Sequence, residues 1–130
     1  MENLVFLIDS NVFLEGLLEQ DQSVKVQSFL EKTDTENLYI TNFSLHSIGV
    51  LLTRVKKTKL FLDFISDVIL NKIKVISIEP ADFNKIMENV EKFSLDFDDS
   101  YQYTVAKIYN LQIVSFDKDF DKTDLKRIEP

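Results

Sequence analysis

"FDDSYQYTVAKIYNLQIVSFDKDFDK", residues 97–122, places a helix, a strand and a closing aspartate in immediate succession. "SYQYTVAKIYN" (100–110) reads as a helix, and "QIVSF" (112–116) is a short apolar, partly β-branched run stopped by Asp117. The chain opens on a similar unit. "LVFLI" (4–8) is an uninterrupted apolar run, the pattern of a strand buried on both faces, and Asp9 stops it.

Between these ends, strands and helices alternate. "SNVFLEGLLEQ" (10–20) and "SVKVQSFLEK" (23–32) carry apolar residues at near-helical spacing and predict two short helices; "LYIT" (38–41) predicts a second strand. "SLHSIGVLLTRVKK" (44–57) puts Leu45, Ile48, Leu52 and Val55 on one helical face with Ser44 as N-cap, and "KLFLDFISDVILNK" (59–72) forms a further helix. "IKVISI" (73–78) is the third strand, and Pro80 introduces the helix "ADFNKIMENVEKF" (81–93). Such alternation implies parallel pairing: an α/β/α three-layer sandwich with a mainly parallel central sheet, a single domain over residues 1–130.

Composition narrows the function classes. With 45% hydrophobic and 12% aromatic residues the chain has ample material for one core, and two glycines and two prolines leave no linker. Absence of cysteine excludes a disulfide framework and a thiolate nucleophile or metal site. Glu2 stands where a signal peptide would be basic, and no stretch has the roughly 20 apolar residues of a bilayer span; the expectation is a cytoplasmic protein with no membrane partner. A net charge of −7 opposes broad electrostatic binding to nucleic acid. An acidic protein can still handle a phosphodiester where a divalent cation and a local basic patch meet. The one compact basic stretch, "RVKKTK" (54–59), offers Arg54, Lys56 and Lys57 for an RNA backbone or an acidic partner, or forms a solvated helix end.

In an open parallel sheet, ligands bind beyond the carboxyl ends of the strands. Asp9 and Asp117 each follow a strand directly, and the Asp98/Asp99 pair opens the helix feeding the second of these strands. Carboxylates from separate segments converging on one edge are the chemistry of a hard cation, Mg²⁺ or Mn²⁺, which activates water and neutralises a leaving oxygen. A lone histidine and no cysteine speak against zinc. Each acid also has a structural reading: Asp9 as cap of the helix at Ser10, Asp99 with Gln102 at capping-box spacing, Asp117 as a turn residue.

"LIDSNVFLE" together with "FDDSYQYTVAKIYNLQIVSFDKDFDK" resembles the PIN-domain family, and within it the small VapC-like toxin ribonucleases; the likeness in order and spacing runs nearly the full chain. The resemblance implies a metal-dependent endoribonuclease, the toxin of a toxin–antitoxin pair, with RNA and an antitoxin protein as partners and a homodimer as its assembly. Carried over, Asp9, Asp99 and Asp117 match metal-binding catalytic acids, with Asp98 and Asp119 as neighbours able to share the role. In one place the chain departs from the family. Ser47 stands where the family usually has a glutamate, and no acid lies between Glu36 and Asp63. His46 or Ser47 would then hold a water or contact substrate, or the site is weakened. The alternative function is therefore a PIN-like domain that binds RNA or a protein without cleavage. A phosphoacceptor receiver domain also gathers acids at a sheet edge, but the third strand here runs into Glu79 and lacks the required aspartate.

Overall fold

The computed structural model describes residues 4–130, so Glu2 lies outside the described residues. Four strands form one sheet: β1 (Phe6–Ile8), β2 (Leu38–Thr41), β3 (Lys74–Ile76) and β4 (Gln112–Val114). Their order is β3-β2-β1-β4 and every pairing is parallel. The first and last strands are thus neighbours, in the register Phe6↔Gln112, Leu7↔Ile113 and Ile8↔Val114. A parallel bridge from Val114 to Ile128 lays the C-terminal segment along the far side of β4.

Six helices cover the sheet: α1 (Ser10–Leu17), α2 (Ser23–Lys32), α3 (Asn42–Arg54), α4 (Thr58–Leu70), α5 (Phe83–Phe93) and α6 (Phe97–Tyr109). Side-chain alternation in β1 decides which layer packs where. Leu7 points into a core with Ile113, Ile86, Val105, Ala106 and Phe120, beneath α5 and α6. Ile8 points the other way, among Val12, Phe13, Val26, Ile48, Leu52, Phe64 and Val68 of α1 to α4. Both are fully buried, each worth about 1.5–3 kcal/mol of burial, which explains why β1 reads as apolar without a break. The result is the expected three-layer α/β/α arrangement.

Two helix starts differ from the sequence expectation. α3 begins at Asn42, because Thr41, still extended at the end of β2, caps the helix by accepting the Ser44 amide on its Oγ1 at 2.9 Å. Ser44 is therefore inside the helix and buried. α6 begins at Phe97, capped by Asp96, whose Oδ1 accepts the Asp99 amide at 2.9 Å. The cap is Asp96, and Asp99 is the third helical residue with its carboxylate left over. Just upstream, Ser94 ends α5 in the left-handed region, φ 55° and ψ 44°, turning the chain so that Leu95 is buried and Asp96 faces the sheet edge.

Candidate metal centre

The strand order reverses direction between β1 and β4, and crevices beyond the carboxyl ends of strands form at that point. Here the crevice is a cleft of about 280 Å³ walled by Asp9, Ser10 and Asn11 from the β1–α1 junction and by Phe43, Ser44 and Ser47 from α3. Asp96, Asp98, Asp99 and Gln102 from the start of α6, with Asp117 beyond β4, complete it. Asp99, Asp117 and Asp119 form the one group of three metal-ligating side chains among the described residues, with ligand oxygens all within 4.8 Å of one another. Asp9 stands outside this trio but in the same cleft.

The acids are held differently. Asp9 is buried and doubles as the cap of α1: its Oδ1 accepts the Ser10 amide at 2.9 Å and Gln102 Nε2 at 3.3 Å, and its Oδ2 accepts Ser115 Oγ at 2.7 Å. A carboxylate has about four acceptor sites, so three donors leave one for the cleft. Burial pushes the Asp9 carboxyl above its usual range, while the donors Ser115, Gln102 and Ser10 pull it back. Asp99 is also buried, and it has no such set of amide and hydroxyl donors. Burial first, then the charges of Asp117, Asp96 and Asp9, push Asp99 up to about 8. Asp98 is more exposed and is raised by partial burial and by Asp96. Asp117 caps the short 3-10 turn Lys118–Lys122 by accepting the Asp119 amide at 2.9 Å. That bond brings Asp119 round to the trio. Asp119 otherwise meets Lys122 at 3.5 Å, a half-exposed pair of about 0–1 kcal/mol that a cation can displace.

A hard cation fits these residues. The trio offers carboxylate oxygens only, and two oxygens on one Mg²⁺ stand about 3–4 Å apart, within a small rotamer change of the 4.8 Å trio. Asp99 supplies the electrostatic reason: a buried carboxyl that resists ionisation beside other acids gains most from a positive charge.

A buried polar chain anchors the cleft from behind. Thr41 Oγ1 donates to Gln102 Oε1 at 2.9 Å, and Gln102 Nε2 donates to Ser44 Oγ at 2.9 Å as well as to Asp9. Asn11 Nδ2 donates to Ser115 Oγ at 3.2 Å, and Ser115 Oγ accepts the Asp117 amide at 2.9 Å. One hydroxyl thus ties the two strand-end acids together. Arg127, only 11% exposed, donates to the Ser115 carbonyl at 3.0 Å and braces that strand end. Gln102, Ser44, Ser115 and Asn11 do not stand out as site residues in the sequence, whereas Asp96 belongs to the acidic cluster of residues 96–99. Spacing carries part of the signal: Gln102 is one turn after Asp99, Ser44 one turn before Ser47, and Ser115 two residues before Asp117 on an extended chain.

The remaining candidates lie elsewhere. Ser47 lines the cleft, but His46 is exposed and, with Arg54, borders a separate depression between α3 and α4 lined by Gly49, Val50, Thr53 and Phe61. Consecutive helical residues point about 100° apart, which separates them. Arg54 ends α3 seven residues past Ser47, about 10 Å farther along the axis, Lys56 and Lys57 follow it, and none of the three lines the cleft. A larger groove of about 670 Å³ between α1, α2 and α4 is walled mainly by apolar side chains such as Phe13, Leu17, Val26 and Phe64, and the acidic trio is not in it.

The sequence profile of the PIN domain matches residues 6–126. The chain belongs to the PIN-domain family. No curated protein matches it. Solved structures similar to this PIN domain include VapC20 of Mycobacterium tuberculosis, described as a sarcin-ricin loop cleaving toxin, with a TM-score of 0.81 at 13% identity over 96% of this chain and 99% of that one. The VapBC2 structure from Rickettsia felis, bound to a DNA fragment from the promoter, gives a TM-score of 0.77 at 15% identity over 97% and 98%. A toxin–antitoxin complex from Klebsiella pneumoniae gives 0.68 at 16% identity, covering 88% of each chain. At these identities the likeness establishes the fold. No helix among the described residues is long and apolar enough to cross a membrane.

Proposed function

We propose that this PIN domain is a divalent-metal-dependent endoribonuclease and the toxin member of a toxin–antitoxin pair. The carrying observation is the trio Asp99, Asp117 and Asp119, oxygens within 4.8 Å, beside a donor-held Asp9 at the carboxyl edge of the sheet. A Mg²⁺ or Mn²⁺ ion at Asp99 and Asp117, with Asp9, Asp119 and Asp98 at its margins, would activate water towards a phosphodiester and neutralise the leaving oxygen. Ser115 and Gln102 orient the Asp9 carboxylate and favour its ionised form. Asp99, raised to about 8, holds a proton near neutral pH until a cation displaces it. No side chain in the cleft is equipped as a covalent nucleophile. Ser44 Oγ is committed to Gln102, and Ser10 and Ser47, which also line the cleft, have no imidazole there to activate them, since His46 borders the separate depression on α3.

Similarity to a toxin described as cleaving the sarcin-ricin loop supports RNA as the substrate class, and similarity to toxin–antitoxin complexes supports an antitoxin protein as partner. A homodimer is supported by α4, which buries Phe64 and Val68 yet exposes Leu62, Ile69 and Leu70 at 64–77%. A cytoplasmic location accords with these partners. Ser47 favours a second reading: the cleft presents a hydroxyl where the family usually has a carboxylate, so cation binding is weaker and the domain binds RNA or protein without efficient cleavage. Purified protein incubated with mixed-sequence single-stranded RNA, in Mn²⁺ or in chelator, separates the two. We expect metal-dependent internal cleavage that Asp117→Asn abolishes; intact RNA in saturating Mn²⁺ refutes the nuclease.

A further inference from the structure

Four aromatic rings cluster beside the acidic cleft, and one of them, Phe43, lines it. Phe43, which lines the cleft, lies with its ring centroid 5.1 Å from Tyr101 and 6.1 Å from Phe97, and Phe83 meets Tyr101 edge-on at 6.4 Å. Tyr101 is buried and its hydroxyl accepts the Ile78 amide, which makes the base of the cluster rigid. Phe97 and Phe83, by contrast, are 39% and 42% exposed. Phe97 occupies the first position of α6, between Asp96 and Asp98, both of which line the cleft. A large apolar ring, half in water and one residue from the acids on either side, is not explained by helix initiation or by the core.

We propose that the Phe97 ring, backed by Phe43 and Tyr101, is a stacking platform for one nucleobase of a single-stranded polynucleotide whose adjoining phosphate lies at the acids. This rests on the ribonuclease reading and adds a base-contacting subsite to it. The occupant follows from the ribonuclease reading: a strand whose phosphate lies at the acids has a base within reach of Phe43, which lines the cleft, and a protein of net charge −7 with an acidic cleft needs a source of affinity other than clustered cations. Stacking supplies affinity without positive charge and accepts any base, because every base has a π-face.

The chain has no tryptophan, so Phe97→Trp introduces a single reporter at the platform. The titration uses a mixed-sequence RNA hexamer and the same backbone with abasic sites, in Ca²⁺, with a gel confirming intact RNA at the end. We expect the intact hexamer to quench the indole fluorescence of Phe97→Trp and the abasic strand not to. Phe97→Leu, folded by thermal melt, should bind the hexamer about five- to 150-fold more weakly than wild type, the range of stacking one base on an aromatic ring. Equal quenching by both strands, or unchanged binding by Phe97→Leu, overturns the proposal. A dimer that Phe97→Leu converts to monomer with unchanged RNA binding assigns the face to a second copy and also overturns it. Quenching by the hexamer alone in a protein that never cleaves RNA supports the platform while removing the nuclease reading.

Discussion

Replacing Asp99 by asparagine should make the metal-free protein more stable while abolishing its activity. Burial and the charges of Asp117, Asp96 and Asp9 raise Asp99 from an ordinary 3.8 to about 8. Below about pH 4 the unfolded chain is protonated at this residue as well, and no penalty exists. As pH rises towards 8 the unfolded state releases the proton while the native state keeps it. Stability therefore falls across that window and levels off above it. Four pH units correspond to about 5 kcal/mol, and water on the open side of the cleft reduces this, so about 2–3 kcal/mol is expected at pH 8. Asparagine keeps the shape and removes the titration. Because native Asp99 is neutral below about pH 8, the exchange forfeits no interaction of a charged carboxylate with the first turn of α6 in that window. Urea unfolding at pH 4, 6 and 8 in chelator should give matching stabilities at pH 4 and a variant more stable by about 2–3 kcal/mol at pH 8. Adding Mn²⁺ at pH 8 should stabilise wild type and leave the variant nearly unmoved. A variant less stable than wild type at pH 8 in chelator, or one with the same pH slope, would refute the reasoning.

Ser47→Glu adds a charged oxygen to the cleft wall and should tighten Mn²⁺ binding in a calorimetric titration and raise RNA cleavage; unchanged affinity in a folded variant would mean that residue 47 does not serve the cation. Ser115→Ala removes the donor to Asp9 and the acceptor of the Asp117 amide and of Asn11 Nδ2, and should cost about 1–3 kcal/mol by urea unfolding, with reduced cleavage, since three partners lose their bond. Light scattering should give twice 15.2 kDa for wild type and a smaller mass for Leu62→Asp combined with Ile69→Asp, whereas a wild-type monomer at high micromolar concentration would dismiss the dimer.

What the sequence discloses follows from which interactions are local. β1 and β4 are readable because a strand covered on both faces must be apolar at every position, and Asp9 and Asp117 stand out as the charges ending those runs. Their convergence needs the two strands to be neighbours as well as parallel, and the order β3-β2-β1-β4 supplies that. The helix starts are less legible: Thr41 and Ser44 are equally good caps, and only the extended end of β2 decides for Thr41. Asp99 reads in sequence as a cap partner of Gln102, whereas Asp96 caps α6 and Gln102 instead reaches Asp9, 93 residues away. Nothing in local spacing encodes such a contact. The reach of Arg54, Lys56 and Lys57 is equally hidden, because proximity in sequence to Ser47 becomes distance once α3 runs straight away from the cleft.

The claim that the strand-end acids form a cation site is tested most directly by diffraction from a crystal soaked in Mn²⁺, with data collected for anomalous scattering. The account predicts a peak within about 2.0–2.4 Å of carboxylate oxygens of Asp99 and Asp117, with Asp119 or Asp9 as a further ligand or reached through water. No peak in the cleft at saturating Mn²⁺, or an ordered ion bound only elsewhere on the surface, would contradict it.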